Sequence, residues 1–348
     1  MLNLVVDGQP VQVEKGSTIL QACEKMGIEV PTLCYLKHLA PEGACRICAV
    51  EVQGVKNLQF ACAALCSEGM EVTTMNERIA GFRRIVIELL LANHDADCFS
   101  CPAVGSCELY KLAMDYGIEK SRFKRTKKPR PKDETSEFFN YDPAKCILCR
   151  RCVRTCNEIQ SNRTLSLRDR GVRTSVSLPF GKVFKDSSCV SCGNCVSACP
   201  TGALTTKASK HYRSWELTRT RTTCPYCGVG CQMDLLVKEG KVVGVEPADG
   251  PANPGILCVK GKFAYRFIGH PDRLKTPLIR KDGVLSPASW DQALDYVAEG
   301  IKRIKEESGP QAIAGFASAR ATNEDNYVFM KMMRAAIGTN NVDHCARL

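Results

Sequence analysis

Hydrophobic and polar positions along the 348-residue chain follow first the period of strands and then that of helices. Met1-Leu2-Asn3-Leu4-Val5-Val6 reads as a strand running into an Asp7-Gly8 turn. Residues 1–75 as a whole predict strand, turn, strand, helix and strand. Thr18 with Gln21 makes a capping-box pattern for that helix, which runs to about Met26 with Gly27 as its C′ residue. From Asn76 a second helix carries Ile79, Phe82, Ile85, Val86, Leu89 and Leu90 as its packing face and ends near Ala92. Residues 118–140 break the periodicity. A basic run from Lys120 to Lys132, stiffened by prolines and followed by Asp133, Glu134 and Glu137, predicts an extended linker. Between 157 and 188 only β-prone pieces such as 174–178 stand out. Near the carboxy terminus the pattern predicts an α/β unit, with a strand at 312–317, a helix at about 323–336 and Gly338 after it. No apolar run is long enough to span a membrane, and no secretory or twin-arginine leader precedes the first strand.

Composition changes the picture through one residue type. Twenty-two cysteines in a chain with no secretory signal point to metal rather than disulfides, and to a soluble cytoplasmic protein of several domains. Their spacing says which metal chemistry. Cys146-x2-Cys149-x2-Cys152-x3-Cys156 and Cys189-x2-Cys192-x2-Cys195-x3-Cys199-Pro200 each match the bacterial pattern for a [4Fe–4S] cluster, in which the fourth cysteine serves the other cluster. The expected ligand sets are therefore Cys146, Cys149, Cys152 and Cys199 for one cluster, and Cys156, Cys189, Cys192 and Cys195 for the other. Zinc knuckles, the alternative, use paired CxxC motifs instead. The first run has Asn157 where the second has Pro200, which removes no ligand.

Three further motifs flank this centre. Cys34-x10-Cys45-x2-Cys48-x13-Cys62 departs from the plant ferredoxin spacing in its longer first gap and leaves a structural four-cysteine zinc site open. His94-x3-Cys98-x2-Cys101-x5-Cys107 puts an imidazole beside three thiols at a helix end. Cys224-x2-Cys227-x3-Cys231-x26-Cys258 follows a short connector containing Trp215, and Lys260 stands two residues beyond it. Cys23 and Cys66 read as buried thiols, since cysteine packs as a small hydrophobe.

These motifs carry a resemblance over essentially the whole chain. The Cys34 spacing resembles the [2Fe–2S] domain that begins the large iron–sulfur subunit of complex I, iron-only hydrogenases and NAD(P)-linked formate dehydrogenases. The first two also carry a cubane with one histidine and three cysteine ligands at the His94 spacing, which implies His94, Cys98, Cys101 and Cys107 as ligands of a [4Fe–4S] cluster. The Cys224 motif is similar to the [4Fe–4S] signature of molybdopterin or tungstopterin oxidoreductases, which implies Cys224, Cys227, Cys231 and Cys258 as ligands. That likeness also implies a small β-rich domain with a hairpin at 235–237 and 241–245, turned at Glu239-Gly240, and Lys260 as the electron relay contacting the pterin. Ser289-Trp290-Asp291 also resembles the molybdopterin oxidoreductases, and the tail from Gly338 to Leu348, with Asn340, Asp343, His344, Cys345 and Arg347, resembles formate dehydrogenases just before their metal ligand.

The implied fold is multi-domain α+β. It comprises a β-grasp [2Fe–2S] ferredoxin domain (1–75), a helical domain for the histidine-ligated cluster (76–117), the basic linker (118–140) and a two-cluster bacterial ferredoxin-like domain (141–207). A small β-rich [4Fe–4S] domain (217–275) and the start of an α/β molybdopterin domain (276–348) complete it. The implied cofactors are one [2Fe–2S] and four [4Fe–4S] clusters, with bis-molybdopterin guanine dinucleotide carrying Mo or W in the full-length protein. Such clusters remove roughly nine of the formal +11 charges, so the basic excess compensates anionic cofactors rather than signalling nucleic acid. The implied function is the electron-transfer portion of a formate dehydrogenase catalytic subunit, acting on formate or CO2. Its partners would be a flavin-containing, NAD(P)-reducing subunit and a small [2Fe–2S] subunit or hydrogenase-type module, without nucleic acid or membrane insertion. No glycine-rich dinucleotide fingerprint occurs, so the nicotinamide would bind elsewhere. In that family the residue after this tail is selenocysteine or cysteine, so an in-frame UGA after Leu348 is expected. The rival readings are a stand-alone iron–sulfur electron-transfer subunit and another complex I-like or pterin oxidoreductase subunit.

Overall fold

A computed structural model describes residues 1–126, 128, 130–319 and 321–345, the last through its backbone alone. Lys127 and Pro129 of the basic run and residues 346–348 of the tail lie outside the described residues, as does the Cys345 side chain. The chain divides into two units, Met1–Leu217 and Thr218–Leu348, each described by itself.

The first unit opens with β1 (Leu2–Val6) and β2 (Gln9–Val13), an antiparallel pair whose two-residue turn, Asp7 (φ 48°) and Gly8 (φ 79°), has the left-handed backbone that matches strand twist. After α1 (Ile19–Lys25), capped by the expected Thr18–Gln21 box, come β3 (Ala49–Val52), β4 (Gln59–Phe60) and β5 (Glu71–Thr73). The sheet order is β2-β1-β5-β3-β4, with β5 parallel to β1. Leu4, Val6, Val13, Val50, Val52 and Val72 bury one face of the sheet against Ile19, Leu20 and Cys23 of α1. Cys66 lies in the same core.

The second helix, α2 (Glu77–Ala92), starts where the sequence predicts, with Asn76 Oδ1 accepting from the Ile79 amide at 2.9 Å. Its packing face is rotated from the expected one. Ile79, Arg83 and Ile87 point inward, whereas Ile85 and Leu89 are exposed. The cause is Arg83, only 1% exposed, whose Nη2 donates to the Ala49 and Thr74 carbonyls (2.8 and 3.1 Å) and whose Nη1 bonds the Tyr116 hydroxyl (3.0 Å) just past α3 (Glu108–Asp115). The described residues of the expected linker are mostly exposed as far as Thr135 and fastened at intervals, whereas its end does not stay a linker, since Ser136, Phe139 and Asn140 are buried and the last two enter a strand. Ser121 Oγ donates to the Glu88 carbonyl, Arg122 grips the Glu88 carboxylate, and the Thr126 amide bonds Asn93 Oδ1. Arg130 donates to the Arg173 carbonyl and Lys132 pairs with Asp142.

The next segment closes on itself, since β6 (Phe139–Tyr141) pairs antiparallel with β9 (Leu204–Thr206) some 65 residues later. Between them lie α4 (Arg151–Arg154), the hairpin β7 (Ser166–Arg168)–β8 (Ser175–Ser177) and α5 (Asn194–Ser197). A Tyr141 hydroxyl bond to the Val176 carbonyl fixes the hairpin to the closed pair, and edge-to-face stacking of Phe139 on Phe184, centroids 4.9 Å apart, fixes the segment after the hairpin.

The second unit begins with β10 (Thr218–Thr223), β11 (Gln232–Lys238) and β12 (Lys241–Pro247), an antiparallel sheet turned at Glu239-Gly240 as expected, both residues at positive φ. A small pair, β13 (Asp249–Gly250) and β14 (Asn253–Pro254), is held by Asn253, whose amide donates to the Gln232, Ala248 and Ile256 carbonyls. Helix α6 (Val259–Phe263) and the hairpin β15 (Leu278–Lys281)–β16 (Val284–Pro287) follow. Helix α7 (Trp290–Ser308), capped by Ser289 with Gln292, is additional to the expected elements, and none of its residues is buried. The strand expected at 312–317 starts only at Gly315, and a second strand that the pattern does not predict follows in the tail. β17 (Gly315–Ser318) pairs parallel with β18 (Val342–Cys345) across α8 (Asn323–Lys331), whose continuation ends at Gly338 (φ 89°). Gly315 is required there, because a Cβ would press into the Phe329 ring.

Candidate metal centres

The loop between α1 and β3 brings Cys34 and Cys45 together, and the start of β3 with the residues after β4 brings Cys48 to Cys62; all four are buried. The Cys45 amide donates to Cys34 Sγ at 3.4 Å. A hydrogen bond from the Cys45 thiol draws Cys34 down to about 6 against the opposing effect of burial, and Cys45 itself is driven up by that bond and by burial. Cys48 and Cys62 repeat the relation: hydrogen bonding to each other raises the first and lowers the second. Charge effects of Cys34 and Cys45 on Cys62 tie the pairs to each other. Two thiol pairs facing one another suit a two-iron cluster, in which each iron takes two thiolates.

Cys98, Cys101 and Cys107 also share one site, for burial and then the charges of Cys101 and Cys98 push the Cys107 thiol up to about 11. His94, delivered by the end of α2, has its Nδ1 buried without a hydrogen-bond partner. Burial, followed by the Lys145 charge, pulls its pKa down to about 4, while a backbone hydrogen bond to Lys145 works the other way. A neutral imidazole with an unsatisfied nitrogen is the form that binds a metal. A Cβ on Gly202 would collide with Cys101 Sγ, so the loop needs glycine there. His94→Cys should retain four irons at this site yet lower its midpoint potential, because thiolate makes a cluster more negative than imidazole does. An EPR-monitored redox titration reads this.

The tandem runs are built alike. Leu148 (φ 58°) and Arg150 (φ 65°) in the first are matched at the same offsets by Ser191 (φ 53°) and Gly193 (φ 76°) in the second. These left-handed turns aim the Leu148 and Ser191 amides at Cys146 and Cys189 Sγ, both at 3.4 Å. Cys199 exchanges with the other run: after burial, its charge is the largest influence raising Cys149 (to about 12) and Cys152. Cys156 crosses the opposite way, raising Cys189, Cys192 and Cys195 after burial and lining one pocket with all three. Because burial raises the Cys149, Cys152, Cys189, Cys192 and Cys195 thiols, cluster insertion must release protons, and reconstitution should fall off as pH drops.

In the second unit Cys224 and Cys231 meet across a 2.8 Å backbone bond. Burial and then the charges of the other cysteines, Cys227 and Cys258 included, raise both thiols. Lys260 is exposed on α6, while Lys262, which belongs to no cysteine motif, is buried. Among the described residues no three His, Cys, Asp or Glu side chains close on a single metal ion. In a cubane, by contrast, each ligand binds a different iron.

The sites are not strung in a line within the first unit. Cys34, Cys45, Cys107 and Cys149 occupy one apolar core with Leu33, Ile47, Ile87 and Leu109, so three of the candidate centres meet there. Among the described residues no helix is long and apolar enough to cross a membrane.

Family models match in the same order as the centres. They are a 2Fe-2S iron-sulfur cluster binding domain at 1–77, the NADH-ubiquinone oxidoreductase-G iron-sulfur binding region at 83–122, and the ferredoxin-like domain of NADH-quinone oxidoreductase subunit 3 at 136–205. The molybdopterin oxidoreductase Fe4S4 domain at 217–270 and a molybdopterin oxidoreductase model at 273–348 follow. The alpha subunit of an NADPH-Fe(3+) oxidoreductase from Geobacter sulfurreducens is 40% identical over 100% of this chain and 40% of its own length. The G 2 subunit of an NADH-quinone oxidoreductase from Rhizobium meliloti is 40% identical over the same shares. A provisionally named formate dehydrogenase of Staphylococcus aureus is 32% identical over 99% of this chain and 39% of its own. The chain therefore spans about 40% of the length of these relatives. Among solved structures, an NAD+-reducing [NiFe]-hydrogenase in the H2-reduced state is 28% identical, with a TM-score of 0.57 over 61% of this chain and 90% of that one. Domain by domain, the chain is NADH-quinone oxidoreductase-G-like, with iron–sulfur domains followed by a molybdopterin oxidoreductase Fe4S4 domain and the start of a molybdopterin oxidoreductase domain.

Proposed function

We propose that this chain is the electron conduit of an NAD(P)-linked formate dehydrogenase. Cys34, Cys45, Cys48 and Cys62 hold a [2Fe–2S] cluster; His94, Cys98, Cys101 and Cys107 hold a [4Fe–4S] cluster. The sets Cys146/149/152/199, Cys156/189/192/195 and Cys224/227/231/258 hold three more. The observation that carries this reading is the crossing of Cys156 and Cys199 between the tandem runs, supported by the unsatisfied His94 Nδ1. The clusters supply one-electron storage, and the protein supplies burial, amide donors and fixed charge around each. In the full-length protein Lys260 contacts a Mo- or W-bearing bis-molybdopterin guanine dinucleotide, and a flavin-containing partner exchanges electrons with NAD(P). Formate as substrate is supported by the residues from Gly338 to His344 and by the Staphylococcus relative. A selenocysteine or cysteine metal ligand in the full-length protein belongs to that reading, and selenium and metal analysis of the full-length protein tests it. A second reading, NAD(P)H-linked electron transfer to another acceptor, is favoured by the Geobacter and Rhizobium relatives. Formate-dependent reduction of NAD(P) by the full-length complex separates the two.

Iron and acid-labile sulfide analysis tests the conduit itself. About eighteen irons per chain are expected, two from the Cys34 site and four from each of the others. Stoichiometric zinc in their place would refute it.

A further inference from the structure

Buried charge is concentrated where three of the candidate centres meet. Helix α4 leaves the first tandem run as Arg150, Arg151 and Arg154, and each side chain has a different fate. Arg150 is half-exposed and lies 3.8 Å from Glu42. Arg154 is buried but balanced by two carboxylates, Glu158 at 2.8 Å and Glu42 at 3.6 Å. Arg151 is 8% exposed, and its ion-pair partner is Glu108 at 2.6 Å, a residue itself half in solvent and next to Cys107. Its Nε is buried with no hydrogen-bond partner.

Resting on the cluster assignment above, we propose that Arg151 is a positioning residue for electron transfer. It is a permanent buried cation shared by the Cys34 centre and the Cys146/149/152/199 centre, and it raises the reduction potential of both. Geometry places it so. Arg151 is two residues past Cys149, which shares its apolar core with Cys34 and Cys107, and it reaches toward the Cys107 loop through Glu108. A guanidinium does not titrate in the working range, so the bias is constant with pH. An electron leaving one centre oxidises it and reduces the other. A cation serving both shifts their potentials in the same direction, favouring the reduced state of each, where the extra negative charge appears. Arg154 also faces Cys34, but its two carboxylates offset it.

The test is a low-temperature EPR redox titration of the full chain with Arg151→Met, Arg151→Lys and Arg154→Gln. With Arg151→Met, the reduced-to-oxidised ratio of both centres at a fixed potential should fall on the order of tenfold, about 59 mV for a one-electron couple. The Cys156/189/192/195 and Cys224 centres should hold their values. Arg151→Lys should restore most of the shift, and Arg154→Gln should move the Cys34 centre less. If Arg151→Met retains its clusters and moves neither potential, or only one, the proposal fails. If that variant loses its clusters, Glu108→Gln decides: removing the opposing carboxylate should raise both potentials, and no rise overturns the idea. Absence of the cluster signals from the unmodified chain would instead sink the cluster assignment, leaving a different fault to mend.

Discussion

Cys199→Ala should cost the protein the cluster of the first tandem run and spare most of the second. Iron per chain should fall by about four. The lost EPR signal should be the one that Cys146→Ala also abolishes, although Cys199 lies 47 to 53 residues from its partners Cys152, Cys149 and Cys146. Cys156→Ala should do the converse, matching Cys189→Ala. The prediction follows from the electrostatic crossing, in which Cys199 bears on Cys149 and Cys152 while Cys156 bears on Cys189, Cys192 and Cys195. The alternative, four consecutive cysteines per cluster, predicts that Cys199→Ala and Cys189→Ala abolish the same signal. Pairing the variants this way separates the two topologies without reference to turnover.

Arg83→Met should be the most damaging change away from any cysteine. Methionine fills the methylene space but leaves the Ala49 and Thr74 carbonyls and the Tyr116 hydroxyl facing a buried thioether. Each buried polar group left unpaired costs about 1–3 kcal/mol, so with two buried carbonyls unpaired and the Tyr116 hydroxyl only part-buried a loss of about 2–6 kcal/mol is expected for the whole. Because those partners sit on β3, the approach to α2 and the end of α3, the variant should loosen the Cys34 and Cys107 loops together. Chemical denaturation followed by the cluster absorbance checks this. A drop below about 1 kcal/mol would mean that water or neighbouring groups satisfy the carbonyls.

What the sequence discloses and what it hides divide along physical lines. Local signals are legible: the Thr18–Gln21 box, the Asn76 cap and the Glu239-Gly240 turn depend on residues within four positions of each other, and the structure has each of them. The face of α2 differs from the expected one because its inward side contains an arginine. A charged residue reads as solvent-facing until the distant carbonyls that receive it are known. Helix α7 is absent from the expected elements although Trp290, Leu294, Val297 and Ile301 recur at helical spacing. The parallel pairing of β17 with β18 needs knowledge of where the chain returns after α8, which no local pattern carries. For the metal centres, the cysteine spacings nominate four residues apiece. They cannot reveal that Cys34, Cys107 and Cys149 share one core, since this depends on packing between segments more than 40 residues apart in sequence. Nor can they single out Arg151 or Lys145, whose importance lies in burial beside the thiols.

The zippering of β6 onto β9 has a bearing on biogenesis. A ribosome releases Cys146, Cys149 and Cys152 well before Cys199, so a nascent chain offers three corners of a cubane and must wait for the fourth. The second cubane waits likewise, holding Cys156 early and its other three late. Delivery machinery that arrives too soon would find two incomplete sockets, whereas after residue 206 has emerged both become fillable at once. Loading of either cubane should therefore begin only after most of this segment has been made.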